Sequence, residues 1–249
     1  QVYDAEGENI QLCGEDCSPI GMQADQAYAK GRLALSADEM AAAQTGLEAA
    51  AKVFTDDQFV QRDYATSLIR GDRSADAVKV LKKAMLTGDS AAVALTLAEA
   101  HLNIGEWAEA RSAAQSALKR ARKTHSHPRV RATALAVEAQ ARILSGKRSS
   151  RRSADRSIRQ SLAIEPGLAA GLLAKGLLLE TGRRPRQAIP VYIRLTQVAP
   201  KSAQGFFRLG RLLNRRAQTR RKAKVALQRA VELDPEGIWG TRAGRLLRR

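Results

Sequence analysis

Residues 161–235 read SLAIEPGLAAGLLAKGLLLETGRRPRQAIPVYIRLTQVAPKSAQGFFRLGRLLNRRAQTRRKAKVALQRAVELDP. Three similar phrases punctuate the stretch: SLAIEP closes at Pro166, TQVAP at Pro200 and AVELDP at Pro235, with separations of 34 and 35 residues. Before the last two closures, apolar residues recur at helical spacing, as Ala188, Tyr192 and Leu195, and as Ala223, Leu227 and Ala230. Another apolar segment precedes each set, LLAKGLLLETG (Leu172–Gly182) and FFRLGRLL (Phe206–Leu213). The pattern predicts a repeated unit of two helices. Proline stops the second helix, because it has no N–H to donate and its ring clashes with the preceding turn. Small residues such as Ala98, Gly176, Gly210 and Ala223 fall where the helices of a pair press together, and a glycine between the helices takes the helix-ending conformation at low cost.

Upstream, LAEAHLNIGEWAEARSAAQSAL (Leu97–Leu118) has the same grammar, with Gly105 at the turn, Trp107 after it, and Ala110, Ala114 and Ala117 along the second helix. A period of 34 residues with these features resembles the tetratricopeptide repeat, bacterial type. The resemblance covers about residues 24–235. It implies an all-α fold, a right-handed α-α superhelix of about six helical hairpins, and a role as a scaffold or adaptor that holds proteins or peptides. The frame gives units at 24–57, 58–90, 91–127, 128–166, 167–200 and 201–235. The first two are read from YAKGRLAL with EMAAAQTGLEAAAKVF and from FVQRDYATSLIRGD with ADAVKVLKKAML, without a closing proline. Residues 236–249 are expected to form a basic capping helix, with Ile238, Trp239, Leu246 and Leu247 turned inward. No unit carries the full aromatic set of the family, and the paired Lys and Asn of its peptide-clamp adaptors are not found.

Composition agrees with helix. Apolar residues make up 44% of the 249 and aromatic ones 4%, alanine is abundant, and β-branched runs are nearly absent. The longest apolar run, Leu168–Leu179, is broken by Lys175 and is too short to span a bilayer. The net charge of +17 hides a polarity: residues 1–118 hold 10 Lys+Arg against 18 Asp+Glu, and residues 119–249 hold 32 against 7. The basic half should attract polyanions, an acidic protein surface among them.

The basic residues concentrate in the turns inside the last three units. These are Lys147, Arg148, Arg151 and Arg152 in the first, Arg183, Arg184 and Arg186 in the second, and Arg215, Arg216, Arg220, Arg221 and Lys222 in the third. Equivalent turns of stacked hairpins lie side by side, about 10 Å apart per helix, so the clusters are expected to form one ridge. A partner-binding ridge is one reading, and arginines that merely solvate the turns are the other. A guanidinium fork suits carboxylate and phosphate alike, so the partner is an acidic protein or peptide, with nucleic acid or anionic lipid as alternatives. Against nucleic acid stands the lack of an aromatic platform among the charges. A groove site is expected at Phe207, Arg208 and Arg211, where Phe207 either anchors a peptide or packs on the preceding unit.

Residues 1–23 carry five acidic side chains and no basic one. They form a leader without fixed structure or a segment that docks on the ridge or on a second copy, which makes a head-to-tail homo-oligomer a further alternative. Cys13 and Cys17 in CGEDC could close a small disulfide ring in an oxidising compartment, remain two thiols, or serve metal or redox chemistry. His101 takes the place of a core tyrosine, and His125 and His127 fall in a linker without a third metal ligand. G-x-S-x-G, P-loop, dinucleotide-binding and H-E-x-x-H patterns are missing, so no catalytic residues, cofactor or metal are assigned. The missing initiator Met and the cysteine pair point to an exported or envelope-associated protein, with a cytoplasmic domain of a longer chain as the other reading.

Overall fold

The computed structural model describes residues 18–248, and Cys13 and Cys17 lie outside them. Thirteen α-helices and two single 3-10 turns account for the described residues, and no strand occurs among them. The chain divides into two units, one ending at Ser126 and one beginning at His127.

The first unit consists of three antiparallel hairpins: α1 (Pro19–Ala37) with α2 (Met40–Val53), α3 (Gln58–Arg70) with α4 (Ser74–Thr87), and α5 (Ala91–Ile104) with α6 (Trp107–Lys123). Helix α1 begins five residues before the unit boundary read from the sequence. Ser18 supplies the cap, its hydroxyl accepting from Gly21 N at 3.2 Å, and Pro19 at the first helical position needs no N–H partner. Asp57 and Ser90 cap α3 and α5 in the same way. Leu47, Val60, Leu68 and Leu81 are sealed from solvent, and alanines fill the seams between helices.

The second unit holds three more hairpins and a last helix: α7 (Pro128–Leu144) with α8 (Arg151–Ile164), α9 (Ala169–Thr181) with α10 (Pro185–Val198), α11 (Ala203–Leu213) with α12 (Arg220–Leu233), and α13 (Ile238–Leu247). Helices α8, α10 and α12 each end two residues before their closing proline. The faces read from the spacing are the buried ones: Ala188, Tyr192 and Leu195 are at most 1% exposed, as are Ala223, Leu227 and Ala230. The small residues have a steric cause. A Cβ on Gly210 would lie 2.7 Å from Leu227 Cγ, inside contact distance, so α11 and α12 approach this closely only without a side chain there.

Helix α13 covers the end of the stack. Trp239, Leu246 and Leu247 pack against Phe207, Leu227 and Ala230. Ile238 departs from its expected inward orientation and is 48% exposed, because it stands at the first position of α13 beside the Asp234–Gly237 turn, ahead of the seam. Asp234 accepts from the backbone N–H of Trp239 at 2.9 Å and of Gly240 at 3.3 Å, which caps the helix.

Candidate functional site

The three arginine-rich turns lie between the two helices of the three hairpins of the second unit. Six residues separate α7 from α8 and six separate α11 from α12, against three between α9 and α10. The longer turns gain a 3-10 turn each, at Arg148–Ser150 and Ala217–Thr219. The first turn leaves α7 through Gly146 at φ 74°, and the last is pinned by the Thr219 hydroxyl, which donates to Leu213 C=O. In the middle turn the left-handed residue is Arg183, at φ 59°. Helix ends bordering the first two turns are joined directly: Arg151, the first residue of α8, donates from its guanidinium to the carbonyl oxygen of Thr181, the last residue of α9, at 2.7 Å.

Eleven of the twelve ridge residues are exposed, and Arg151 is half-buried. Among the described residues none of the twelve forms an ion pair. The reason is a shortage of acids and where they are spent. Residues 127–249 contain 28 Lys+Arg and seven Asp+Glu. Glu138 pairs with Arg142, Asp155 with Arg159, Glu165 with Arg129, Glu180 with Arg208 and Arg211, and Glu232 with Arg229, while Asp234 caps α13. The seventh, Glu236, stands in the turn between α12 and α13, not in an arginine-rich one. Among the described residues the clustered cations therefore have no paired counter-charge.

The groove residues sit in a different environment. Phe207 is 7% exposed and packs at a tilt against Trp239, ring centres 5.6 Å apart, so it belongs to the packed end of the unit. Arg208 and Arg211 both reach Glu180 on α9, and Tyr192 donates to the same carboxylate at 2.5 Å. Arg208 also lies over the Trp239 ring at 5.5 Å, with Arg242 over that ring at 5.3 Å. Burial raises the Tyr192 phenol well above its ordinary range, and the Glu180 charge raises it further. One carboxylate thus fixes two guanidinium groups. A single sequence signal was available for this cluster: Glu180 is the sole acid between Glu165 and Glu232.

The first unit contains a similar node. Asp63 accepts from Tyr28 at 2.9 Å and pairs with Arg62 at 2.6 Å and Arg32 at 3.5 Å. Burial is the main cause that raises the Tyr28 phenol, with Asp63 adding to it. His101 is buried and its Nδ1 lies 2.5 Å from Glu106 Oε2, a core position. His127 caps α7, its Nδ1 accepting from Arg129 N. Among the described residues no three His, Cys, Asp or Glu side chains converge as a metal site would need, and no helix is long and apolar enough to cross a membrane.

No family model and no curated protein sequence matches the chain. Solved structures do. A chain of the APC/C hetero-tetramer Cut9–Hcn1 superposes with a TM-score of 0.65 at 16% identity, over 94% of this chain and 43% of that one, so this chain spans under half its length. PilF of Pseudomonas aeruginosa gives a TM-score of 0.56 at 16% identity, over 92% of this chain and 99% of that one. TTC0263, a thermophilic TPR protein of Thermus thermophilus, gives 0.63 at 15% identity, over 78% and 100%.

Proposed function

We propose, for a chain that has the fold of the tetratricopeptide-repeat proteins, that it is a non-catalytic scaffold assembling a protein complex, and that the arginine ridge of its second unit captures an acidic partner. The observation that carries this reading is a set of twelve cations, none in an ion pair among the described residues, six in the turns inside consecutive hairpins and six in the first turns of the helices that follow them. A solvated surface arginine in a protein with acids to spare commonly finds one at i±3 or i±4, as Arg73 does with Asp76 and Arg159 with Asp155. Among the described residues the ridge has no such partners, and apart from Arg151, which holds the Thr181 carbonyl, an incoming carboxylate meets donors that need not first be released. The fold supports the scaffold role in general terms, since each hairpin adds surface without building an enclosed pocket.

The same observation favours one second reading. Ten of the twelve ridge residues are arginine, whose planar fork also matches phosphate. A phosphate-rich polyanion would then bind with an affinity whose logarithm falls steeply with the logarithm of salt concentration, whatever its sequence.

Replacing Arg183, Arg184 and Arg186 by Glu tests the proposal. A tagged chain should co-purify with a partner identifiable by mass spectrometry, and the triple variant should lose it while keeping its helical circular-dichroism spectrum. Undiminished capture by the variant would refute a ridge that binds.

A further inference from the structure

The ridge carries almost no apolar surface. Across Lys147–Arg152, Arg183–Arg186 and Arg215–Lys222 the only purely hydrocarbon side chains are Pro185 and Ala217. A folded partner docks through a dry, apolar centre ringed by polar groups, and its energy comes from a few large anchors. One ridge residue, Arg152, lines a cavity, but its other walls are Asp155, Arg156, Arg159 and Gln160, all charged or polar, so it does not suit an apolar anchor. The occupant of the ridge therefore has to bring charge along an extended backbone. Consecutive turns are one to two helix diameters apart, about 10–20 Å, and the Arg151–Thr181 contact joins helix ends that border the first two.

The chain itself contains a segment of that chemistry. Residues 1–17 hold Asp4, Glu6, Glu8, Glu15 and Asp16, with no Lys or Arg, and they lead directly into the Ser18 cap of α1. Seventeen residues of extended chain reach at most about 55–60 Å, enough to pass all three turns. Their five negative charges compare with twelve positive ones on the ridge. We infer that residues 1–17 of a second copy of the chain occupy the ridge. This rests on the ridge being the capture surface proposed above, and it names the ligand. The contact is heterologous, since a segment meets a ridge and each copy keeps one of both. Such contacts link copies head to tail until a ring closes or a filament grows. Being electrostatic and exposed, the contact weakens as salt shortens the screening length.

The test uses the full chain in sedimentation and light scattering at about 50 mM and about 500 mM salt, where the Debye length falls from about 14 Å to about 4 Å. The weight-average mass should rise at least twofold with concentration at low salt and return to that of one chain at high salt. Two variants should remain single chains throughout: Asp4→Asn, Glu6→Gln, Glu8→Gln, Glu15→Gln, Asp16→Asn together, and Arg183→Glu, Arg184→Glu, Arg186→Glu together. Circular dichroism guards against misfolding: both variants should keep the helical spectrum of the wild-type chain. The inference is overturned if the wild-type chain stays single at low salt, or if the neutralised-segment variant associates as strongly as wild type. Salt-sensitive retention on immobilised polyuridylate without self-association overturns it as well, and assigns the ridge to nucleic acid. Partner capture lost on ridge reversal but kept on segment neutralisation would leave the scaffold reading standing while removing this one.

Discussion

Arg151, the first residue of α8, donates its guanidinium to the carbonyl oxygen of Thr181, the last residue of α9, across 2.7 Å. The last carbonyls of a helix have no partner within it, and here the neighbouring hairpin supplies one. The first unit repeats the device: Arg70 donates to Leu35 C=O at 3.0 Å near the end of α1. A cation at a helix C-terminus also opposes the negative end of the helix dipole. Ridge formation and hairpin stacking thus share a side chain.

Arg151→Gln should therefore cost a little stability and leave the fold intact. The bond is solvated, so a loss of about 0.5–1 kcal/mol is expected. Urea unfolding followed at 222 nm would measure it, and Arg152→Gln, whose side chain is exposed and unpaired, is the control that should change nothing.

Glu180→Ala should be far more damaging. It removes the one carboxylate that, among the described residues, pairs with Arg208 and Arg211, whose Nε atoms are already buried without partners, and strands the Tyr192 hydroxyl. Uncompensated buried charge costs about 3–5 kcal/mol, and the low end is expected because water screens the Arg211 side chain, which is 37% exposed. Because the group acts as a unit, Glu180→Ala combined with Arg211→Met should cost less than the sum of the two single changes in a double-mutant cycle. Strict additivity would show that the cluster is not coupled.

Much of this architecture was legible in the residues, and the boundary of legibility has a physical cause. Helix pairs, their closing prolines and their buried faces follow from spacing along one chain, so Tyr192 and Leu227 could be placed without coordinates. Ion pairing between elements does not follow from spacing. Glu180 meets Arg211 across 31 residues and Asp63 meets Tyr28 across 35, and both pairs depend on how neighbouring hairpins sit. Phe207 shows the same limit: periodicity puts it on a helix, but only the arrival of Trp239 on α13 decides that it is packed. The ridge was legible as composition, whereas its lack of counter-charges required knowing that the few acids were engaged elsewhere.

Glu99 on α5 predicts a pH dependence. Desolvation alone pushes its carboxyl up to about 7, well above the ordinary value near 4.5. Between those pH values the folded chain holds a proton that the unfolded chain has released, so stability is fullest below about pH 4.5 and declines as pH rises towards 7. Partial contact with water trims the loss to about 2 kcal/mol. Glu99→Gln should remove this component, and the difference between wild-type and variant melting curves from pH 5 to pH 8 would isolate it. A difference that does not change with pH would mean the carboxyl titrates normally.

Phe207→Ala separates packing from binding. A buried aromatic ring traded for a methyl group leaves a cavity, and a loss of about 3–5 kcal/mol is expected. Partner capture measured well below the melting temperature should survive, since the ring touches Trp239 and α12 and presents almost no surface. Loss of capture by a still-folded variant would instead make Phe207 an anchor.

Arg183 sits in a conformation that its side chain disfavours. At φ 59° it occupies the left-handed region, where the equivalent bend between α5 and α6 uses Gly105 at φ 86°. A left-handed L-residue costs about 1 kcal/mol that glycine avoids, partly offset by the greater freedom of glycine in the unfolded chain. Arg183→Gly should therefore leave stability unchanged or raise it by up to about 1 kcal/mol, and at low salt it also relieves repulsion from Arg184 and Arg186. If the ridge binds an acidic segment, the same substitution weakens that contact, because one fork is gone and the turn keeps its shape. Stability and binding would then move in opposite directions from one change in one turn. A substitution that lowers the melting temperature and leaves binding untouched would show Arg183 to be held there by packing, and the ridge would lose its central member.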